Sequence, residues 1–385
     1  MNHVVCVPDG CADEPVPELG GRTPLEAAAM PSLAALAKRG QVGRAAVIPP
    51  GMAPSSDVGN MAILGYDPVR HHTGRAPIEA AGMGIELGPD QVAYRCNLVT
   101  VGPDGTLVDF AGGHPSSEAA AAVVTALRRE LGSGEVEFHA GVSYRHLVVV
   151  PAHWGDATCT PPHDLAGRPL AWPRGPAAPK LRAVMEASRD VVAGTGTAAN
   201  QVWLWGQGRR PELPPFRQLH GVEAGLVTGV DLIRGLGVLA GIDVIEVPGA
   251  TGWYDTDYEA KRDACLETLA GGSELFLIHV EATDEAGHAG DVGEKVTALE
   301  RWDRHILGPL VEGLDQLGPW RLLLLPDHPT PIGRRTHTTD PVPWLLVDSR
   351  VDGPGGRYSE AGAAGSAAVP GHGLMARLID ARVRA

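Results

Sequence analysis

Residues 55–70 read SSDVGNMAILGYDPVR, two hydroxyls and an acid ahead of a short apolar run. A serine in such a place commonly caps a helix by accepting an amide hydrogen bond. The same place can also present a nucleophile to an anion, because the unsatisfied N–H groups of a first helical turn point at it. Capping by Ser55 or Asp57 leaves Ser56 for chemistry. Four further motifs carry acids and imidazoles: Asp9 in VPDG, Asp284 with His288 in ATDEAGHAGD, Asp327 with His328 in LLLLPDHPTP, and His337 in RRTHTTDPVP. Taken singly, each has an ordinary explanation. Asp before Gly is turn chemistry, and an acid and a histidine four apart make a common helix-surface pair. Only the charged pair at the end of a buried strand demands a partner. Taken together they supply three carboxylates and three imidazoles, enough for two divalent ions with Ser56 as a further oxygen ligand. Two such ions stabilise the attacking and leaving oxygens of an in-line phosphoryl displacement.

Elements that bring these residues together can be read from the hydrophobic pattern. HVVCVPDG is a buried strand ending at Asp9, and TPLEAAAMPSLAALAKRG is a helix with Thr23 as N-cap, Pro24 in the first turn and Gly40 as the stop. Farther on, DLIRGLGVLAG (helix), IDVIEV (strand), DYEAKRDACLETLAGG (helix), ELFLIHVEATD (strand), KVTALERWDRHILGPLVEGL (helix) and RLLLLPDH (strand) alternate. That rhythm gives an α/β protein with a mostly parallel sheet covered by helices on both faces. Ligands of such sheets collect beyond the carboxyl ends of the strands, where the acid and histidine motifs fall. Between residues 84 and 190 the texture changes. QVAYRCNLVTV, GTLVDFAG and EVEFHAGVSYRHLVVV read as strands around the helix SSEAAAAVVTALRREL, and the Pro-rich AWPRGPAAPK marks the exit. The expected organisation is a core of 1–83 and 191–385 with a smaller inserted α+β domain over 84–190.

Composition narrows the function. A formal net charge of −14, with no compensating basic run, argues against a nucleic-acid partner. A small phosphorylated anion remains compatible, provided that metal ions, clustered arginines or a helix N-terminus supply local positive potential. The five cysteines are scattered and odd in number, which fits reduced thiols rather than a disulfide framework or zinc site. The opening MNHVVCVPDG lacks a basic leader and no later run approaches a membrane span, so the expectation is a cytoplasmic protein without a membrane partner, monomeric or a small homo-oligomer. No Walker-type phosphate loop is present.

The ordered set VPDGCADEP…LGGRTPLEAA, SSDVGNMAILGYDP, TGRAPIEAAGMGIEL, YRCNLVTV, GATGWYDTDYEAK, ATDEAGHAGD and THTTDPVP resembles the archaeal-type, cofactor-independent phosphoglycerate mutases of the alkaline phosphatase superfamily. The resemblance implies an alkaline-phosphatase-like core with an inserted substrate-capping domain, two divalent ions (manganese, with zinc, cobalt or magnesium as alternatives) and a phosphoserine intermediate. Carried over by motif, Asp284, His288 and His337 correspond to the ligands of one ion. Asp9, Ser56, Asp327 and His328 correspond to those of the other, with Ser56 as nucleophile. His114 in AGGHPSSEAA resembles the family's insert-domain histidine. His163 and Asp164 in TPPHD are candidates for moving the hydroxyl proton, and Arg75, Arg95, Arg145 and Lys261 for clamping carboxylate or phosphate. Pro326 and Pro329 around the Asp327–His328 pair, and NQVWLWGQGRRP, depart from the mutase pattern towards a bacterial subgroup proposed to phosphorylate homoserine or another small hydroxyl compound.

Overall fold

The computed structural model describes residues 1–380. They fall into two units, one made of Met1–His72 with the chain from Glu212 onward, the other of Thr73–Pro211. In chain order the strands are β1 (Asn2–Pro8), β2 (Gln41–Ala46), β3 (Gln91–Val101), β4 (Leu107–Asp109), β5 (Glu137–His139), β6 (Arg145–Pro151), β7 (Gln201–Gly208), β8 (Ala224–Val227), β9 (Asp243–Val244), β10 (Leu275–Val280), β11 (Trp320–Leu324), β12 (Val342–Asp348) and β13 (Ala368–Pro370).

The first unit is built on an eight-stranded sheet in the order β13-β2-β12-β11-β1-β10-β8-β9. From β9 to β11 all neighbours are parallel, β12 is antiparallel to both β11 and β2, and β13 is parallel to β2. β1 lies between β10 and β11, with Pro8 beside Val280 and Cys6 beside Leu324, so the carboxyl ends of all three open on one edge. Strands shielded on both faces need continuous apolar runs, and Val4 to Val7, Leu275 to Ile278 and Leu322 to Leu325 are almost wholly buried.

Three local expectations change. TPLEAAAMPSLAALAKRG is two helices, Pro24–Ala27 and Pro31–Arg39, because Pro31 disfavours helical backbone at the residue before it. Thr23 makes a full capping box with Glu26; the second helix has no side-chain cap of its own, and buried Asp303 accepts from the N–H groups of Ser32 and Leu33 instead. KVTALERWDRHILGPLVEGL contains a π-helical turn at Asp303–Leu307, just before Gly308 and Pro309, where proline's missing N–H and its clash with the carbonyl four residues back open the helix. IDVIEV contributes only the two-residue edge strand β9.

In the second unit, the eleven-residue β3 is antiparallel to β4, β6 and β7, and β5 extends β6. Helices Ser117–Leu131 and Ala178–Ala193 bury Val123, Leu127, Leu181 and Met185 in one core with Tyr94, Leu98, Val202 and Leu204. This unit reaches beyond the expected 84–190. β7 completes the pairing of β3 from Ala93–Gly208 to Val99–Gln201, and helix Arg75–Gly82 packs Ala76 and Ala80 with Ala93, Leu147 and Val149. Among the described residues no helix is long and apolar enough to cross a membrane.

Candidate functional site

Asp9 follows the last residue of β1, Glu281 the last of β10, and Asp327 lies three residues beyond β11, so strand register alone gathers carboxylates at one sheet edge. At Gly10 the backbone turns with φ +60°, where a Cβ would overlap Thr330 Oγ1 and crowd Asp284. Asp284 and His288 sit one turn apart on helix Ala282–Ala289, which starts two residues after β10 and so cuts short the strand expected over ELFLIHVEATD. Ser56 is the first residue of helix Ser56–Ile63; Ser55 holds the N-cap position without a side-chain cap bond. Gly59, on the same helix, lets its backbone touch the Asp327 carbonyl, which any Cβ would overlap.

Two ligand sets result: Asp284 with His288 and His337, and Asp9 with Asp327 and His328, the candidate ligand atoms of each set lying within 4.8 Å of one another. In the first, His288 Nε2 is 3.3 Å and His337 Nε2 3.4 Å from the Asp284 carboxylate. The other ring nitrogens face carbonyl oxygens, His288 Nδ1 that of Arg335 at 3.1 Å and His337 Nδ1 that of Pro54 at 3.4 Å. Carbonyls only accept, so the Nδ1 atoms carry the protons. The two Nε2 atoms then face each other across 2.9 Å beside the Asp284 carboxylate, an arrangement that a shared cation, or a proton on one ring, satisfies. Without a cation, burial tends to raise the Asp284 carboxyl, but hydrogen bonds from His288 and His337 outweigh it and hold the group well below its usual range. Burial likewise opposes protonation of His288, and Asp284 overrides it, pushing the ring up to about 9.

The second set is more deeply buried. Asp327 and His328 are fully enclosed and Asp9 nearly so. Asp327 accepts from Gly10 N–H at 3.3 Å and from Asn60 Nδ2 at 2.7 Å, whereas Asp9 Oδ1 is buried without any hydrogen-bond partner. Burial, followed by the neighbouring Asp327 and Asp284, pushes the Asp9 carboxyl well above the ordinary range. An orphaned oxygen in a carboxylate cluster is what a divalent cation corrects. Thr330 joins the two sets. Its hydroxyl donates to Asp284 Oδ1, so at 3.2 Å it accepts from His328 Nδ1–H. His328 Nε2 is thereby left as an acceptor, and burial, which lowers this ring's pKa to about 4, keeps it neutral. Ser56 Oγ stands 3.1 Å from that nitrogen. The oxygen, nitrogen and hydroxyl donors therefore suit two hard or borderline divalent ions.

Of the expected substrate clamps, Lys261 is misassigned. Its side chain is fully buried, with Nζ 2.9 Å from His279 O and 3.4 Å from Glu281 Oε2, and it faces no open cleft. The others lie together in the second unit. Arg95 Nε and Arg75 Nε each meet one oxygen of Glu79 at 2.9 Å. Arg95 lies over Trp205, whose ring is 5.4 Å from His163; Arg145 lies over Tyr144, whose ring is 5.3 Å from His114; Phe110 is near both Tyr144 and His163. Asp164 is exposed, 3.8 Å from His163 on the same 3₁₀ turn. Asn60, Thr330, His279 and Glu281 escape the sequence reading. For the last two a signal existed, since a histidine and an acid inside or just after an apolar strand require partners.

The fold is shared with a solved Pyrococcus horikoshii protein (TM-score 0.81, 27% identity, 100% of this chain and 98% of that one). It is also shared with a cofactor-independent phosphoglycerate mutase from Thermoplasma acidophilum (TM-score 0.61, 25% identity, 98% of each chain). Residues 37–196 match the sequence model of the 2,3-bisphosphoglycerate-independent phosphoglycerate mutases. The enzyme of that name from Methanothrix thermoacetophila is 47% identical, over 91% of this chain and 92% of its own length. A protein described as a probable mutase of this kind from Geobacter sulfurreducens is 41% identical over 99% of this chain and all of its own. This chain belongs to the 2,3-bisphosphoglycerate-independent phosphoglycerate mutase family.

Proposed function

We propose that this protein interconverts 3-phosphoglycerate and 2-phosphoglycerate through a phosphoserine at Ser56, with a divalent ion at each ligand set, manganese being the first candidate and zinc, cobalt and magnesium also suited to the donors. The observation that carries the reading is Ser56 itself: a hydroxyl at a helix N-terminus, 3.1 Å from the acceptor nitrogen of His328, beside a buried carboxylate set in which Asp9 Oδ1 has no hydrogen-bond partner. When bound, the ions offset the carboxylate charge, lower the pKa of the Ser56 hydroxyl and neutralise developing charge on the phosphoryl oxygens. The Ser56 hydroxyl gives up its proton as Oγ attacks phosphorus, the bond from phosphorus to the substrate oxygen breaks, and that leaving oxygen takes a proton. After the glycerate turns, its other hydroxyl loses a proton, attacks the phosphoserine and releases Ser56. Arg75, Arg95 and Arg145 suit the anionic ends of the glycerate, with His114 as a further contact, and His163 with Asp164 suits the proton transfer.

Phosphorus NMR of manganese-loaded protein with 3-phosphoglycerate should show the 2-phosphoglycerate resonance growing in. Ser56→Ala should slow this by roughly 10⁴–10⁶-fold while the Asp284 set still binds metal. Turnover near the wild-type rate in Ser56→Ala refutes the phosphoserine. Phosphorylation of homoserine in the absence of isomerisation reassigns the acceptor.

A further inference from the structure

A buried polar chain that the phosphotransfer scheme leaves unused runs behind Asp9. All six residues of β10 are buried, yet one of them is His279, with none of its surface accessible. Its Nε2 is 3.4 Å from Asp9 Oδ2 and 3.5 Å from Asn60 Nδ2, and its Nδ1 is 2.8 Å from Glu281 Oε1. That Glu281 oxygen also accepts from Thr228 Oγ1 at 3.0 Å, and Glu281 Oε2 pairs with Lys261 Nζ, which donates to the His279 carbonyl. An apolar set of the same volume would stabilise the fold at least as well, so a buried ionic chain of this kind calls for a second reason. The reason lies at its far end. Asp9 has one oxygen without any partner, Oδ1, which is 3.7 Å from His328 Nε2, and the other faces His279.

We infer that Lys261, Glu281 and His279 form a positioning relay that fixes the Asp9 carboxylate with Oδ1 as its ligand atom and so sets the divalent-ion affinity of the Asp9–Asp327–His328 set. The relay rests on the reading of that set as a cation site. Its members are positioning residues: each acts through Asp9 and none reaches the reacting atoms. Side chains that orient a metal ligand typically change metal affinity by about 10–100-fold when removed.

The test is titration of the metal-free protein with manganese(II) against a competing chelator. In a His288→Ala background, which disables the other set, His279→Ala should weaken the remaining manganese class by about 10–100-fold. His279→Gln, which keeps an amide beside Asp9, should recover part of that loss, and Glu281→Gln should fall between the two. With His288 intact, His279→Ala should leave the affinity of the Asp284 class unchanged. Should His279→Ala fail to fold, Thr228→Val removes one bond to Glu281 and should weaken the same class by a smaller factor. Wild-type affinity in folded His279→Ala, or equal weakening of both classes, overturns the relay while the two-ion reading stands. A wild-type protein that binds no divalent ion overturns both.

Discussion

Asp9→Asn separates what the site costs the fold from what the cation contributes. The amide keeps the carboxylate's shape and removes a negative charge facing Asp327. In metal-free protein the substitution should therefore stabilise. Relief of the desolvation penalty on a buried charged group is worth about 1–3 kcal/mol, and a unit of this size shifts its Tm by about 2–4 °C per kcal/mol, giving a rise of roughly 2–12 °C. In excess metal the order reverses. A ligand at a thousand times its Kd stabilises the folded state by about 4.1 kcal/mol, so an occupied Asp9 set should raise the wild-type Tm by roughly 8–16 °C, an increment that Asp9→Asn forfeits. Thermal unfolding of both proteins, in EDTA and in excess manganese, reads all four states. A metal-free Asp9→Asn that melts at or below the metal-free wild type, or one that gains as much from manganese as the wild type does, refutes the reasoning.

Gly59→Ala places a methyl against the Asp327 carbonyl. It should cost about 1–3 kcal/mol by overpacking and weaken manganese binding, since the Ser56 helix has to lift off the metal set; urea unfolding and chelator competition measure the two effects. Glu79 concerns the second unit: burial raises its carboxyl, but Arg95 and then Arg75 outweigh that and hold it below the ordinary 4.5. A depressed folded pKa contributes stability above the unfolded value and loses it as the pH falls through the folded one. Glu79→Gln should accordingly lose about 3 kcal/mol at pH 7, in the range for breaking a buried ion pair, with the deficit shrinking below pH 4.5 in urea unfolding followed across pH.

The parts of the site legible in the sequence were those whose reason is local. Asp284 and His288 are four apart, so a helix at that point puts them on one face, and Asp9 and the Asp327–His328 pair each follow an apolar run that could only be a buried strand. Their partners depend on register. Nothing near Thr330 in the chain says that its hydroxyl lies between Asp284 and His328, and Asn60 reads as an ordinary helix residue until the turn after β11 brings Asp327 to it. Lys261 shows the converse: a lysine in a helix reads as an exposed cation, and only the packing of that helix on β10 reveals that the charge is spent on Glu281. The α/β alternation was read correctly where strands are central. It failed at β9, an edge strand with one neighbour, where a hexapeptide of mixed apolar and acidic residues need not pair along its length.

The position of β1 has a consequence for how the chain is made. Its two neighbours, β10 and β11, are translated roughly 270 residues or more after it, which at ribosomal rates of about 5–20 residues per second is a delay of tens of seconds. Throughout that interval the apolar VVCV segment has no sheet to join. The strands of the second unit, by contrast, find all their partners within residues 73–211 and can pair while synthesis continues. The middle of the nascent polypeptide can thus complete its sheet before the earliest strand to leave the ribosome, which has both of its partner strands only once Leu324 has emerged.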